Sequence, residues 1–295
     1  MDIKAILMGA AFALMWSSAF TSARMIVADA PPVTALALRF LISGTIGVAL
    51  AALIGQSARL TGPQWRATIL FGLCQNALYL GLYFVAMQRI EAGLASIIAS
   101  TMPLIVAVAG WALMGTRLRS LGVAGLIAGF AGVVVIMSHR LGGAVDIPGL
   151  ILCLAGVTAL AIATLALRGA AAGGGNLLMV VGLQMLVGCA ALTVAAAVTE
   201  WPGGITVNWT PRLFAAFAYT TLVPGLLATW VWFRLVGRIG AVRAATFHFL
   251  NPFFGVAIAA LLLGERLTGW DVLGVAIIAA GILAVQVSRA ATTPG

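Results

Sequence analysis

Apolar runs of about twenty residues follow one another along almost the whole chain, joined by short connectors. In a bilayer core about 30 Å thick, about 20 helical residues cross the hydrocarbon. Lipid offers no partner for backbone N–H and C=O groups, so runs of this kind fold as helices. The chain has little with which to cover a water-facing surface. Of its 295 residues, 63% are hydrophobic and 8% are charged, against roughly 25% charged in soluble domains. Ten runs are predicted to span: 4–25, 33–55, 64–86, 92–114, 119–138, 147–168, 177–198, 211–234, 241–263 and 270–288. They are called segments 1 to 10 below. Breakers and charges mark the connectors, and "GGG" at 173–175 is the nearest thing to a linker between halves. The fold class expected is an all-α polytopic membrane protein.

The net charge of +9 does not point to nucleic acid, because the cations are scattered singly between apolar runs rather than gathered into a patch. Cys74, Cys153 and Cys189 all fall inside apolar runs and none has a CxxC partner, so neither a disulfide framework nor a zinc site is suggested. No cofactor is implied. The first apolar run is too long for a signal-peptide core, so it reads as a retained span.

Cations set the orientation of such a chain. With the N-terminus inside, the inner segments hold Lys4, Arg59, Arg66, Arg117, Arg119, Arg168, Arg234, Arg238, Arg243 and Arg289. The outer ones hold only Arg24, Arg89, Arg140, Arg212 and Arg266. This bias places both termini in the cytoplasm, in a multi-pass protein of the cell (inner) membrane.

One phrase is written twice. "TMPLIVAVAGWALMGTRL" (101–118) and "LNPFFGVAIAALLLGERL" (250–267) share a Pro, a Gly, an Arg and a final Leu. Pro103 and Pro252 are 149 residues apart, as are Gly115 and Gly264, Gly125 and Gly274, and Gly132 and Gly281. Each half, 1–140 and 146–290, holds five predicted spans. Five is odd, so the second half is expected to sit upside down relative to the first. Inverted repeats of this kind are the architecture of alternating-access transporters, with the substrate near the midplane between repeats.

Several motifs carry a family resemblance: Trp16 in segment 1, "ALALRFL" (35–41), Pro103 followed by "GTRLRS", and Pro252 followed by "GERLTGWD". In these the chain resembles the EamA family of the drug/metabolite transporter superfamily, across both halves. Its aromatic pattern is similar to that of the YddG-type amino-acid exporters in that family. The resemblance implies ten helices, cytoplasmic termini and export of small metabolites or amino acids. Thr116 departs from the family pattern, where Glu is usual; Glu265 keeps it in the second half.

Ionisable groups inside a membrane are functional candidates, and here they are few. No Asp or Glu lies well inside a segment, which leaves Arg39 and His248. The missing carboxylate points to a facilitator. His248 keeps proton coupling open, since imidazole titrates near neutral pH. Arg39 could meet a substrate carboxylate, snorkel to the outer headgroups or brace a neighbouring helix. Pro103 and Pro252 each remove a backbone donor, as hinges or as fixed kinks. Asn76, Tyr79 and Tyr83 fall on one helical stripe, read as a cavity wall. Trp16, Ser17, Ser96, Ser100, Trp232, Phe247 and His248 are further candidates for the same wall. The alternative for the serines is helix–helix hydrogen bonding, and glycines in segments 5 and 10 fit close helix contact, as a scaffold or a dimer face. Trp201, Trp209 and Trp270 read as interfacial anchors.

The function expected is export of neutral or aromatic amino acids by alternating access, through a monomer or homodimer. The competing readings are a proton-coupled exporter of drugs or organic cations using His248, and a channel, although no filter motif appears. An intramembrane enzyme is not supported: no paired carboxylates and no nucleophile–base cluster are present.

Overall fold

A computed structural model of the chain describes residues 3–114, 119–140, 146–166, 176–239, 244 and 247–290. Every regular element among these residues is helical. Seven helices are long and apolar enough to cross a membrane: Ile3–Asp29, Pro32–Leu53, Gly62–Ala86, Ala92–Ala112, Leu177–Thr199, Pro211–Ile239 and Gly269–Ser288. Shorter apolar helices cover Ser120–Ile136, Ile147–Ile162 and Phe247–Leu263. Each overlaps one segment expected from hydropathy. Segment 8 continues to Ile239, five residues beyond its expected end. Thr116 lies outside the described residues.

The sequence explains the helix ends. Pro32, Pro63, Pro211 and Pro252 sit in the first turns of their helices, where a missing N–H costs nothing. Gly264 ends the helix Asn251–Leu263 with φ of 68°, a left-handed cap that any Cβ would strain. Large apolar side chains remain outside, among them Val198 at 73% and Leu261 at 82% exposure, as lipid contact requires.

The repeat is visible in the backbone. Segment 4 breaks at Thr101 and resumes as the 13-residue helix Met102–Met114. Segment 9 breaks after Leu250 and resumes as the 13-residue helix Asn251–Leu263. Both bounds are 149 residues apart. Segments 3 and 8 each carry a π-helical turn, Gly72–Tyr79 and Val223–Leu227, again at matching places in the repeat. Such turns are rare and collect at functional sites.

By packing, the chain divides into two units, and each draws on both halves of the sequence. One contains Met1–Thr21, Arg89–Leu150 and Leu227–Gly295; the other contains Ser22–Gln88 and Ile151–Leu226.

In the first unit, Ala92–Ser100 packs on Asn251–Leu263, and Ser120–Arg140 on Gly269–Ala290. These are repeat partners. The second pair meets through glycines: a Cβ on Gly132 would lie 2.8 Å from the Gly274 carbonyl oxygen, and one on Gly281 2.6 Å from that of Gly125. The glycine stripes of segments 5 and 10 therefore serve a helix contact inside the chain. The Glu265 carboxylate accepts the backbone N–H groups of Ala92 (2.7 Å) and Gly93 (2.9 Å). It thereby caps the helix of segment 4, where the macrodipole favours an anion.

In the second unit, segments 2 and 7 are the repeat partners that pack. They are tied at both ends. The Glu200 carboxylate accepts N–H from Val33 and Thr34, both at 2.8 Å. At the other end, Gln56 Oε1 accepts the Met179 N–H at 2.9 Å, and Asn176 Oδ1 accepts the Ser57 N–H at 3.1 Å.

Candidate functional site

The expected site residues fall into two groups, one in each unit. The first is built around the break in segment 9. Pro252 lacks an N–H, so the His248 carbonyl loses its usual helical partner, and the preceding turn tightens into the 3₁₀ turn Phe247–Leu250. His248 packs edge-on to Phe12 at 5.4 Å between centroids and tilted against Trp232 at 5.3 Å. Phe12 also meets Trp232 at 4.7 Å and Trp16 at 5.7 Å. Four aromatic rings from segments 1, 8 and 9 thus share one cluster. Phe247 lies on Gly9, where a Cβ would meet its ring at 2.3 Å.

Asn251 ties this cluster to its surroundings. Its Nδ2 is 2.9 Å from His248 Nδ1. Its backbone carbonyl accepts the Ser17 hydroxyl at 3.2 Å and the Ser96 hydroxyl at 3.4 Å. Ser100 donates to the Ser96 carbonyl at 2.7 Å within its own helix. These serines are engaged in helix contacts and are buried, as expected of polar glue in lipid. Pro103 is buried directly after the break in segment 4.

The second group is Arg39, Asn76, Tyr79 and Tyr83. The last three, read as one stripe of a cavity wall, are all buried, and Asn76 and Tyr79 lie in the π-helical turn Gly72–Tyr79. Asn76 Nδ2 donates to the Gln184 carbonyl at 2.9 Å. Tyr79 and Tyr83 pack ring to ring at 4.7 Å. The small residues that make room for them are Gly188 and Gly156, where a Cβ would come 2.4 Å from the Asn76 Cβ and 3.0 Å from the Tyr83 ring.

Arg39 is 6% exposed, so it does not snorkel to the surface. Its guanidinium lies 5.2 Å from the Phe40 ring centroid, and its Nη2 is 3.6 Å from where a Cβ on Gly225 would stand. Its Nε is buried without a hydrogen-bond partner. Among the described residues the ion pair formed is Arg89–Asp146 at 3.2 Å, and no carboxylate pairs with Arg39.

Sequence reasoning missed Phe12 and Asn251. Phe12 stands one helical turn before Trp16, and Asn251 is an amide within an apolar run directly before the repeated proline. Those positions were the available signals.

Comparison with known proteins follows the same lines. The model of the EamA-like transporter family matches residues 3–138 and again 147–286. The chain is 28% identical over 255 residues to the uncharacterized transporter YvbV of Bacillus subtilis, covering 86% of this chain and 82% of that one. It is 28% identical over 286 residues to the uncharacterized inner membrane transporter YedA of Escherichia coli, covering 92% and 89%. Over 145 residues it is 35% identical to the aromatic amino acid exporter YddG of Ancylobacter novellus, 48% of each chain. One solved crystal structure overlays 99% of this chain and 100% of its own, with a TM-score of 0.70 at 23% identity. At that identity the likeness speaks for the fold.

Proposed function

Because the chain belongs to the EamA-like transporter family, we propose that it exports small neutral solutes, aromatic amino acids foremost, by alternating access. It is a multi-pass membrane transporter and not an enzyme. The observation that carries the substrate class is the cluster of Phe12, Trp16, Trp232 and His248. Ring faces and a neutral amide suit an aromatic body with a small polar head. The partial kinship with an aromatic amino acid exporter agrees with this reading.

In the proposed topology, ten spans form two inverted repeats, 1–140 and 146–290, with both termini in the cytoplasm and the protein in the inner membrane. The breaks before Pro103 and Pro252 act as a pair of hinges. Matching bounds 149 residues apart support that role, since the same kink recurs in both repeats.

Transport is proposed to run downhill. No Asp or Glu lies well inside a segment, so no titrating carboxylate is available to couple protons. The test uses proteoliposomes loaded with unlabelled tryptophan or phenylalanine. Counterflow should accelerate uptake of the labelled amino acid, which a channel would not do. An imposed proton gradient should leave the steady-state level unchanged. Uphill accumulation abolished by His248→Ala would replace this reading with the proton-coupled one, in which the imidazole titrates.

A further inference from the structure

We propose that Asn251, with the rings of Phe12, Trp232 and His248, forms a subsite for an ammonium group on the transported solute. The inference rests on the exporter reading above and specifies which part of the solute this cluster holds.

The argument starts from the hydrogen bonds of Asn251. Its main-chain oxygen is taken by Ser17 and Ser96. Its side-chain Nδ2 lies 2.9 Å from His248 Nδ1, and an amide nitrogen can only donate. Its Oδ1 is buried and has no hydrogen-bond partner, and the residue is 6% exposed. A buried acceptor without a donor is costly, and native structures retain few of them. The two serine bonds hold the main chain of Asn251, and the contact with His248 holds its side-chain amide. An acceptor fixed in this way fits a donor that arrives with the ligand.

The surroundings decide which donor. An ammonium group offers N–H donors and no acceptor, and its charge is attracted to the faces of Trp and Phe rings. Phe12, Trp232 and His248 supply such rings, with centroids 4.7 to 5.4 Å apart. A carboxylate would meet the Oδ1 lone pairs and electron-rich ring faces, and both would repel it. Among the described residues, no acidic side chain takes part in the ring contacts or in the hydrogen bonds of Asn251. An amide and ring faces hold a cation more weakly than a carboxylate would, which suits a carrier that must release its solute.

The experiment separates this inference from the exporter reading. Labelled tryptophan counterflow is measured in proteoliposomes with three competitors: tryptamine and phenethylamine, which lack the carboxylate, and indole-3-propionate, which lacks the ammonium. The amines should compete and the acid should not. Asn251→Leu should weaken the amines by about tenfold or more, the scale of a lost hydrogen bond to a charged group, while Asn251→Asp should exceed wild-type potency. Competition by the acid equal to that of the amines would overturn the inference, as would amine potency unchanged in Asn251→Leu. If tryptophan and phenylalanine show no counterflow at all, the exporter reading fails. The subsite is then judged by thermal unfolding of the detergent-solubilised protein: amine-induced stabilisation present in wild type and strengthened by Asn251→Asp supports it, and no stabilisation in wild type sinks it. If Asn251→Leu elutes as aggregate in gel filtration, the wild-type and Asn251→Asp comparison decides. Amine potency must rise relative to indole-3-propionate; no rise overturns the proposal.

Discussion

Gly281→Ala should lower the thermal unfolding midpoint in detergent by several degrees, whereas the same change at Gly237 should leave it unchanged or raise it. A Cβ at Gly281 would stand 2.6 Å from the Gly125 carbonyl oxygen, 2.6 Å from the Gly129 nitrogen and 2.8 Å from the Gly129 Cα. All three are backbone atoms, so no rotamer change relieves the contact and the two helices must separate. Overpacking of this kind costs roughly 1–3 kcal/mol, and more where the backbone must move. Around Gly237, in the helix Ala228–Ile239, nothing lies within 4 Å of a built Cβ. Alanine there gains about 0.5–1 kcal/mol of helix preference. Opposite signs for one chemical change would establish that segments 5 and 10 meet through their glycines. Equal effects at the two positions would refute that contact.

Removing a helix-capping carboxylate should have an effect of similar size. In Glu265→Ala the N–H groups of Ala92 and Gly93 lose their acceptors. Each buried unpaired donor costs about 1–3 kcal/mol, and losing an anion at a helix N-terminus adds about 0.3–1 kcal/mol. Glu265 is half-exposed, so water recovers part of this and the net loss is about 2 kcal/mol. Glu265→Gln keeps an acceptor and should lose about half as much. Hydrogen exchange at the Ala92 and Gly93 amides gives the direct measurement: protection should fall in Glu265→Ala and be partly retained in Glu265→Gln. Gly93 belongs to the same device, since a Cβ there would stand 2.9 Å from Glu265 Oε2. Unchanged exchange in Glu265→Ala would remove the cap from the account of segment 4.

Much of the architecture was legible in the chain. The apolar runs gave the helices, because in lipid a run of such length has almost no other way to satisfy its backbone. The 149-residue spacing gave the repeat, and it returns in the backbone as matching breaks at Thr101 and after Leu250. Of the candidate site, Trp16, Ser17, Ser96, Trp232, Phe247 and His248 do come together within one unit, directly or through Asn251 and segment 1. Asn76, Tyr79 and Tyr83 are buried together in the other unit, as one helical stripe implies, but the π-helical turn Gly72–Tyr79 within them was not legible from the 3.6-residue period.

The all-helical membrane architecture, the repeat, the family and the lack of a carboxylate well inside a segment can all be read along the chain. These follow from hydropathy, spacing and residue counts, which act along the chain. Which polar groups are consumed by packing depends instead on the three-dimensional arrangement of the helices. Ser17, Ser96 and Asn76 find partners on other helices. Arg39 Nε and Asn251 Oδ1 are buried without one, while Glu265 and Gln56 reach across to cap a partner helix. Whether a hydrogen-bonding group is satisfied depends on atoms within about 3.5 Å, and those atoms come from segments far away in the sequence.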